Sequence, residues 1–213
     1  MKFDFVSIKD FDKHISLSIP NYDGLVDVTT SIFKEYMPPH GVCVDVGCST
    51  GKLLKSFQNI TEGEYIGVDQ VRMCDGYPFT FYEADCLTFL TANTKSIDVV
   101  ISVFTLQFLG NIKRKKVVDE LRRLVANGTT LIIAEKVFSK SARVNSILTR
   151  EHVHQKRKSF TDTEILDKDY ELFGSMFCLD DDKMIEELNS IGQYEQIWQS
   201  YNFKAWVVYK CQP

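Results

Sequence analysis

Long apolar runs are missing from this chain. Nothing in its 213 residues approaches the roughly 20 consecutive apolar residues that span a bilayer, so no membrane-crossing helix is expected. Paired cysteine spacings are missing too. The six cysteines are scattered with no C-x-x-C, which argues against a zinc site or a disulfide frame and for reduced thiols in a cytoplasmic protein. A positive charge excess is absent: 25 Lys and Arg face 29 Asp and Glu, for a net charge of −4. Contact with a nucleic acid would therefore need a local patch. There is no internal repeat, low-complexity tract or Pro/Gly-rich linker, so one domain over 1–213 is expected. The opening segment MKFDFVSIKDFDKH is charged throughout, unlike a signal peptide. Hydrophobic residues at 44% and charged residues at 25% are ordinary for a globular domain with a full core.

Strand-like runs alternate with helical patterns. Strands are expected at 41–47, 63–69, 79–85, 97–105 and 129–136, the fourth apolar on both faces as a central parallel strand should be. Two more, 194–201 and 203–210, flank Asn202 and should pair antiparallel at the sheet edge. Leu25, Val28, Ile32, Phe33 and Tyr36 keep one face of a helix over 22–36. Val117, Val118, Leu121, Leu124 and Val125 do the same over 112–126, and Asp181, Ile185, Leu188 and Ile191 over 180–191. The order predicts an α/β, Rossmann-like fold: a mostly parallel seven-stranded sheet with an antiparallel C-terminal edge. A mostly helical insertion at 137–178 precedes the last two strands and is expected to cover the acceptor side as a lid.

The densest chemical signal is VCVDVGCSTGK at 42–52. Asp45 ends a strand, then Gly47 and Gly51 bracket Cys48, Ser49 and Thr50. The spacing Asp-x-Gly-x-x-x-Gly is not the Gly-x-Gly-x-x-Gly of a pyrophosphate cradle; it suits a nucleoside with an amino-acid tail. Asp45 can orient the tail's ammonium, and loop amides can take its carboxylate. Asp69 ends the second strand, where a carboxylate can accept both ribose hydroxyls. Gln70 follows it. Asp85 is expected to end the third strand and, with Cys86, to meet the adenine amine and ring edge. Together these make a binding constellation for S-adenosylmethionine (SAM), with S-adenosylhomocysteine as its product. Taken singly, a Gly-rich turn is often only a tight strand–helix connection, and a strand-ending acid is often a helix cap.

These residues, in this order, resemble the class I SAM-dependent methyltransferases and, more closely, the carboxy-S-adenosylmethionine synthase family of tRNA wobble-uridine modification. The resemblance runs nearly end to end: FDKHISLSIPNY (11–22), VDVGCSTG (44–51), GVDQ (67–70), EADC (83–86), FTLQFL (104–109), EKVFSKSARV (135–144), FTDTEI (160–165) and WQSYNFKAWVVYK (198–210). It implies a ligand-contacting tyrosine at Tyr22, ribose and adenine contacts at 67–70 and 83–86, and a homodimer. Two positions depart. Where the family has a ligand-contacting asparagine, this chain has Val103. Where the family has an arginine that pairs with the extra carboxylate, this chain has Asp169, beside Lys168. A lysine there offers charge without the bidentate fork of arginine.

Methyl transfer from a sulfonium relies on alignment more than on acid–base groups, and no catalytic residue is assigned. The absence of an Asn/Asp-Pro-Pro-Tyr after strand four argues against amino methylation of DNA bases, and the absence of a Pro-Cys pair against cytosine C5 chemistry. The insertion carries Lys140, Arg143, Arg150, Lys156, Arg157 and Lys158, with His152 and His154. The charge run reads first as a solvated helix face, and otherwise as a patch for an RNA or a small anionic acceptor in which Arg150, His152 and Lys168 take part. The two histidines, two residues apart, point apart on a helix, so no metal site is expected. The leading expectation is a SAM-dependent methyltransferase with no membrane partner. A carboxy-SAM synthase using prephenate and a non-catalytic SAM-binding protein are the alternatives.

Overall fold

The computed structural model describes residues 10–58 and 60–211; the charged segment 1–9, read above as unlike a signal peptide, lies outside them. Seven strands form one sheet: β1 (Val42–Val46), β2 (Glu64–Asp69), β3 (Thr80–Glu83), β4 (Val99–Val103), β5 (Thr130–Lys136), β6 (Gln193–Ser200) and β7 (Phe203–Tyr209), in the order β3-β2-β1-β4-β5-β7-β6. The first five are parallel, and β7 runs antiparallel to both β5 and β6. Strand order reverses between β1 and β4, which opens a crevice at the carboxyl end of β1.

Strand alternation decides which helices pack on which face. Val44, Val46, Val100, Leu131 and Ile133 face one side, against α4 (Cys86–Ala92), α5 (Asn111–Ala126) and α8 (Asp181–Ile191). Cys43, Val99, Ile101 and Ile132 face the other, against Phe33 of α2 (Tyr22–Tyr36) and Leu53, Leu54 and Phe57 of α3 (Lys52–Phe57). Each of these fully buried side chains contributes roughly 1.5–3 kcal/mol of transfer free energy. A third cluster, with Tyr22, Leu25, Phe104 and Phe203, closes the carboxyl end of the sheet.

Three local features differ from the sequence reading. Residues Phe11–Ser18 form a helix, α1, capped by the Asp10 side chain accepting from the Lys13 amide at 3.0 Å. β3 stops at Glu83 rather than at 85, because Asp85 leaves the strand to cap α4, accepting from the Leu87 and Thr88 amides. β4 ends at Val103, and a short 3-10 turn, Leu106–Phe108, takes up the residues that follow. The insertion folds into α6 (Ala142–Lys156) and α7 (Asp162–Leu172), the latter opened by a Thr161–Glu164 capping box.

A buried ion network joins the layers. Arg114 of α5 donates to Glu135 of β5 at 3.0 Å and to Glu187 of α8 at 2.7 Å, and Glu135 also accepts from the Leu106 amide at 3.1 Å. The Arg114 and Glu135 side chains are 4% and 2% exposed. Removing one partner leaves a desolvated charge, which costs about 3–5 kcal/mol. Arg114→Met should therefore lower the melting temperature by roughly 6–20 °C, measured by calorimetry; a change of a degree or less would show that the network is not a stabilising element.

Candidate functional site

A cavity of about 510 Å³ opens at the carboxyl ends of β1, β2 and β4 and is roofed by α1, α6 and α7. This is the size of a small-molecule site. Its floor is the glycine loop after β1. Gly47, Ser49 and Gly51 all adopt left-handed backbone, with φ of 79°, 50° and 75°. A Cβ on Gly47 would collide with the Thr105 side chain, and one on Gly51 with the Phe79 ring, so the two glycines serve close packing as well as the turn. The Gly47 amide donates to the Val68 carbonyl at 2.7 Å, which bolts the loop to β2.

Parallel pairing sets Asp45 opposite Gly67 and Val46 opposite Val68, so Asp45 and Asp69 end adjacent strands. Both line the cavity. Asp69 accepts from the Ser49 amide at 2.9 Å and from the Val71 amide at 3.2 Å. These bonds hold the carboxylate in place and leave acceptor capacity toward the cavity. Burial raises the Asp69 pKa above the usual carboxylate range, against the pull of the Ser49, Val71 and Gln70 amides. Asp45 is 3% exposed, and no hydrogen bond among the described residues reaches its carboxylate. Burial first, and the Asp69 charge second, push its pKa up to about 8. The Ser49 hydroxyl is also buried without a partner among the described residues.

These orphaned groups are what a cationic, hydrogen-bonding ligand would satisfy, so the donor set fits SAM: an acid for its ammonium and sulfonium charge, a second acid for its ribose, and a left-handed loop of amides beneath its tail. Tyr22 is buried in the wall, with the Lys52 ammonium 4.7 Å from its ring centre. Cys48 and Cys86 line the cavity as buried thiols, and burial raises both pKa values. They are protonated packing residues, not thiolate nucleophiles. Val103 and Gln70 line it as well. Phe104, next to Val103, takes a φ of 55°, a strain of about 1–3 kcal/mol at the end of β4.

The structure corrects several expected contacts. Asp85 does not line the cavity; its carboxylate caps α4, pairs with Lys113, and receives Gln70 Nε2 at 3.3 Å. It can hold Gln70 in position rather than touch a ligand. Gly51 stays out of the lining and makes the turn. Arg150 points to solvent, 73% exposed, beside Glu151, because its place on α6 is opposite the inward face that carries His152 and Lys156. His152 is buried in the cavity wall, its Nε2 2.8 Å from the Ser18 carbonyl, and burial lowers its pKa to about 4. It is neutral at physiological pH. Lys168 and Asp169 of α7 both reach the cavity.

Further lining residues escaped the sequence reading. Asp12 of α1 accepts from the Thr50 hydroxyl at 2.6 Å, and Lys52 donates to Ser16 at 3.1 Å, so α1 is tied across the glycine loop. The signal was available: Asp10 is a cap residue, and Phe11 and Ile15 are four apart. Lys136 and Lys156 also face inward, which no charge count could distinguish from the exposed Arg143 and Lys158.

Residues 44–133 match a family described as a methyltransferase domain. Among curated proteins, the chain is 25% identical to a carboxy-S-adenosyl-L-methionine synthase of Idiomarina loihiensis, over 98% of this chain and 92% of that one. It is 27% identical to one of Pseudomonas paraeruginosa, over 96% and 90%. Among solved structures, magnesium protoporphyrin IX methyltransferase from Synechocystis with bound S-adenosylhomocysteine superposes with a TM-score of 0.58 at 16% identity, over 96% of this chain and 89% of that one. A SAM-dependent methyltransferase from Archaeoglobus fulgidus gives 0.57 at 12%, over 87% and 94%. Sheet order and glycine loop, with residues 44–133 matching a methyltransferase domain, thus define the class I SAM-dependent methyltransferase fold. Over nearly its whole length, the chain is similar to the carboxy-SAM synthases.

Asp45 titrates near 4 in an unfolded chain and near 8 in the fold. Between those values the folded protein keeps a proton that the unfolded chain has released, so Asp45 makes stability fall as pH rises through that window. Thermal melts of ligand-free protein from pH 5 to 8 should fall more steeply for wild type than for Asp45→Asn. Equal slopes would mean that Asp45 is already ionised in the fold.

Proposed function

We propose that this cavity binds SAM and that the protein transfers its methyl group to an acceptor held under α6 and α7. In this reading Asp69 accepts the ribose hydroxyls. Asp45 faces the ammonium, and the amides of Gly47, Cys48 and Ser49 take the carboxylate. Gln70, held by Asp85, and Cys86 border the adenine, while Tyr22 and Val103 wall the tail. When bound, SAM supplies a methyl group activated on a sulfonium. The protein's part is to fix the donor, exclude water and align the acceptor; well-oriented reactants gain about 7–11 kcal/mol in this way. The observation that carries the reading is the pair Asp45 and Asp69 on adjacent strand ends, desolvated and short of a cationic partner. Residues 137–178 act as the lid within a single domain. No helix among the described residues is long and apolar enough to cross a membrane; a cytoplasmic site of action is part of this proposal. A homodimer is part of this proposal by analogy with the synthase family.

Isothermal titration of S-adenosylhomocysteine should show saturable binding to wild type. Asp69→Ala removes at least two hydrogen bonds to a charged group, each about 1.5–3 kcal/mol, and should weaken binding about 100-fold or more. Absence of binding to wild type would overturn the reading.

The near full-length similarity to carboxy-SAM synthases favours a second reading, in which the protein carboxylates SAM for tRNA modification with prephenate as carboxyl donor. Against it stands Asp169 at the position of the family's arginine, where it repels a carboxylate; Lys168 is the available cation. Mass spectrometry of the ligand that co-purifies separates the two: unmodified SAM or S-adenosylhomocysteine is expected, and a carboxylated sulfonium would reverse the choice.

A further inference from the structure

A second segment holds the glycine loop, and it does so from outside the cavity lining. This is the connection from β2 to β3, residues 70–79. Its Tyr77 hydroxyl donates to the Ser49 carbonyl at 2.7 Å and accepts from the Met73 amide at 3.1 Å. A phenol has one proton to give and lone pairs to receive, so both bonds are made at once. The Cys74 thiol lies 3.9 Å from the Thr50 carbonyl. The Phe79 ring lies against Gly51 and Gly67, where an added Cβ would come within 2.3 and 2.6 Å of it. Tyr77 stacks on Phe81 of β3, with ring centres 4.5 Å and planes 14° apart, and the Arg72 guanidinium covers the Phe81 ring at 4.5 Å. The Tyr77 ring is thus fixed to the sheet with its hydroxyl aimed at the loop. Burial raises its pKa above the usual phenol value, so it stays a donor.

Both ends of this bridge bear on the donor. Ser49 takes left-handed backbone, with φ of 50°, although it is not a glycine, and such backbone is disfavoured for residues with a side chain. Its amide donates to Asp69 at 2.9 Å, and the Thr50 hydroxyl beside it donates to Asp12 of α1 at 2.6 Å. Met73 lines the cavity with Gln70 and Val71. Resting on the reading that the cavity holds SAM, we propose that Tyr77 is a positioning residue for the donor: its hydroxyl keeps Ser49 left-handed, and so aims the Ser49 amide at Asp69, while it holds Met73 on the adenine side. Without the hydroxyl, Ser49 is free to relax toward ordinary backbone, and Asp69 loses the amide that orients it toward the ribose. Tyr77 acts through Ser49 and Met73 and stays out of the cavity lining itself. A ring that merely filled space behind the loop would do the same work as phenylalanine.

Tyr77→Phe keeps the ring and its stack and removes only the hydroxyl. At a temperature where thermal melts show it fully folded, it should bind S-adenosylhomocysteine about tenfold more weakly than wild type by calorimetry. In ligand-free protein, amide hydrogen exchange followed by NMR should be about tenfold faster at Ser49 and Met73. Tyr82→Phe, which removes an exposed hydroxyl from β3, should match wild type in both measurements. Glycine takes left-handed backbone without strain, so in a Ser49→Gly background the Tyr77→Phe change should weaken binding about threefold or less; this non-additivity shows that the hydroxyl acts through residue 49. The proposal is overturned if Tyr77→Phe binds as wild type does, if Ser49 and Met73 exchange at wild-type rates, or if the penalty is about tenfold in both backgrounds. Failure of S-adenosylhomocysteine to bind wild type would instead remove the methyl-donor reading, and the exchange rates alone would then decide whether the hydroxyl holds the loop.

Discussion

Two carboxylates held out of water at the ends of neighbouring strands are the constraint on which the site depends. β1 and β2 pair in parallel, Asp45 opposite Gly67 and Val46 opposite Val68, and this register brings Asp45 and Asp69 to the same crevice. The Gly47 amide bonds to Val68 and the Ser49 amide to Asp69, so the loop cannot move without giving up hydrogen bonds to β2. A desolvated, unpaired charge costs several kcal/mol. The fold meets that cost by keeping Asp45 protonated, with its pKa near 8, until a cation arrives. The pocket is thus biased toward ligands that carry positive charge, and a sulfonium with an ammonium tail carries two.

The roof carries both signs of charge. α6 and α7 bring Lys156, Lys168 and Asp169 over a cavity whose floor is acidic. The helix α1 links the two: its Asp12 is bonded to the loop through Thr50, while its Ser18 carbonyl meets His152 of α6. The tie to the loop is doubled by Lys52 donating to Ser16, and hydrogen bonds to charged side chains are worth about 1.5–3 kcal/mol each. The Arg114–Glu135 network, by contrast, is sealed on the far side of the sheet and supports the scaffold, not the ligand. Its bond to the Leu106 amide fixes the turn after β4, and with it the Thr105 side chain that packs against Gly47.

Seven strands, their antiparallel edge and the helices over 22–36, 112–126 and 180–191 were legible because the strands are bounded apolar runs and each helix keeps one apolar face. The acids at Asp45 and Asp69 were legible because a strand that ends in an acid and a glycine leaves few other uses for it. Asp85 was misread for a local reason: one more residue of strand would have aimed it at the ligand, but its side chain finds the Leu87 and Thr88 amides and Lys113 first. Arg150 and Lys156 show the limit of a charge run. They are six residues apart on one helix, and only the packing of that helix against Ser18 and Phe203 sends one outward and the other in. Val103 and Asp169, known beforehand only as departures from a family, both lie in the cavity wall, so those departures fall where they alter what can bind.

A crystal structure of the protein with S-adenosylhomocysteine bears most directly on the paired acids. The expected result is the ribose within hydrogen-bonding distance of Asp69, the amino-acid tail over the Gly47–Ser49 amides beside Asp45, and open space beneath Lys136, Lys156 and Lys168. A ligand bound elsewhere, or one whose ribose and tail leave both carboxylates unpaired, would contradict it.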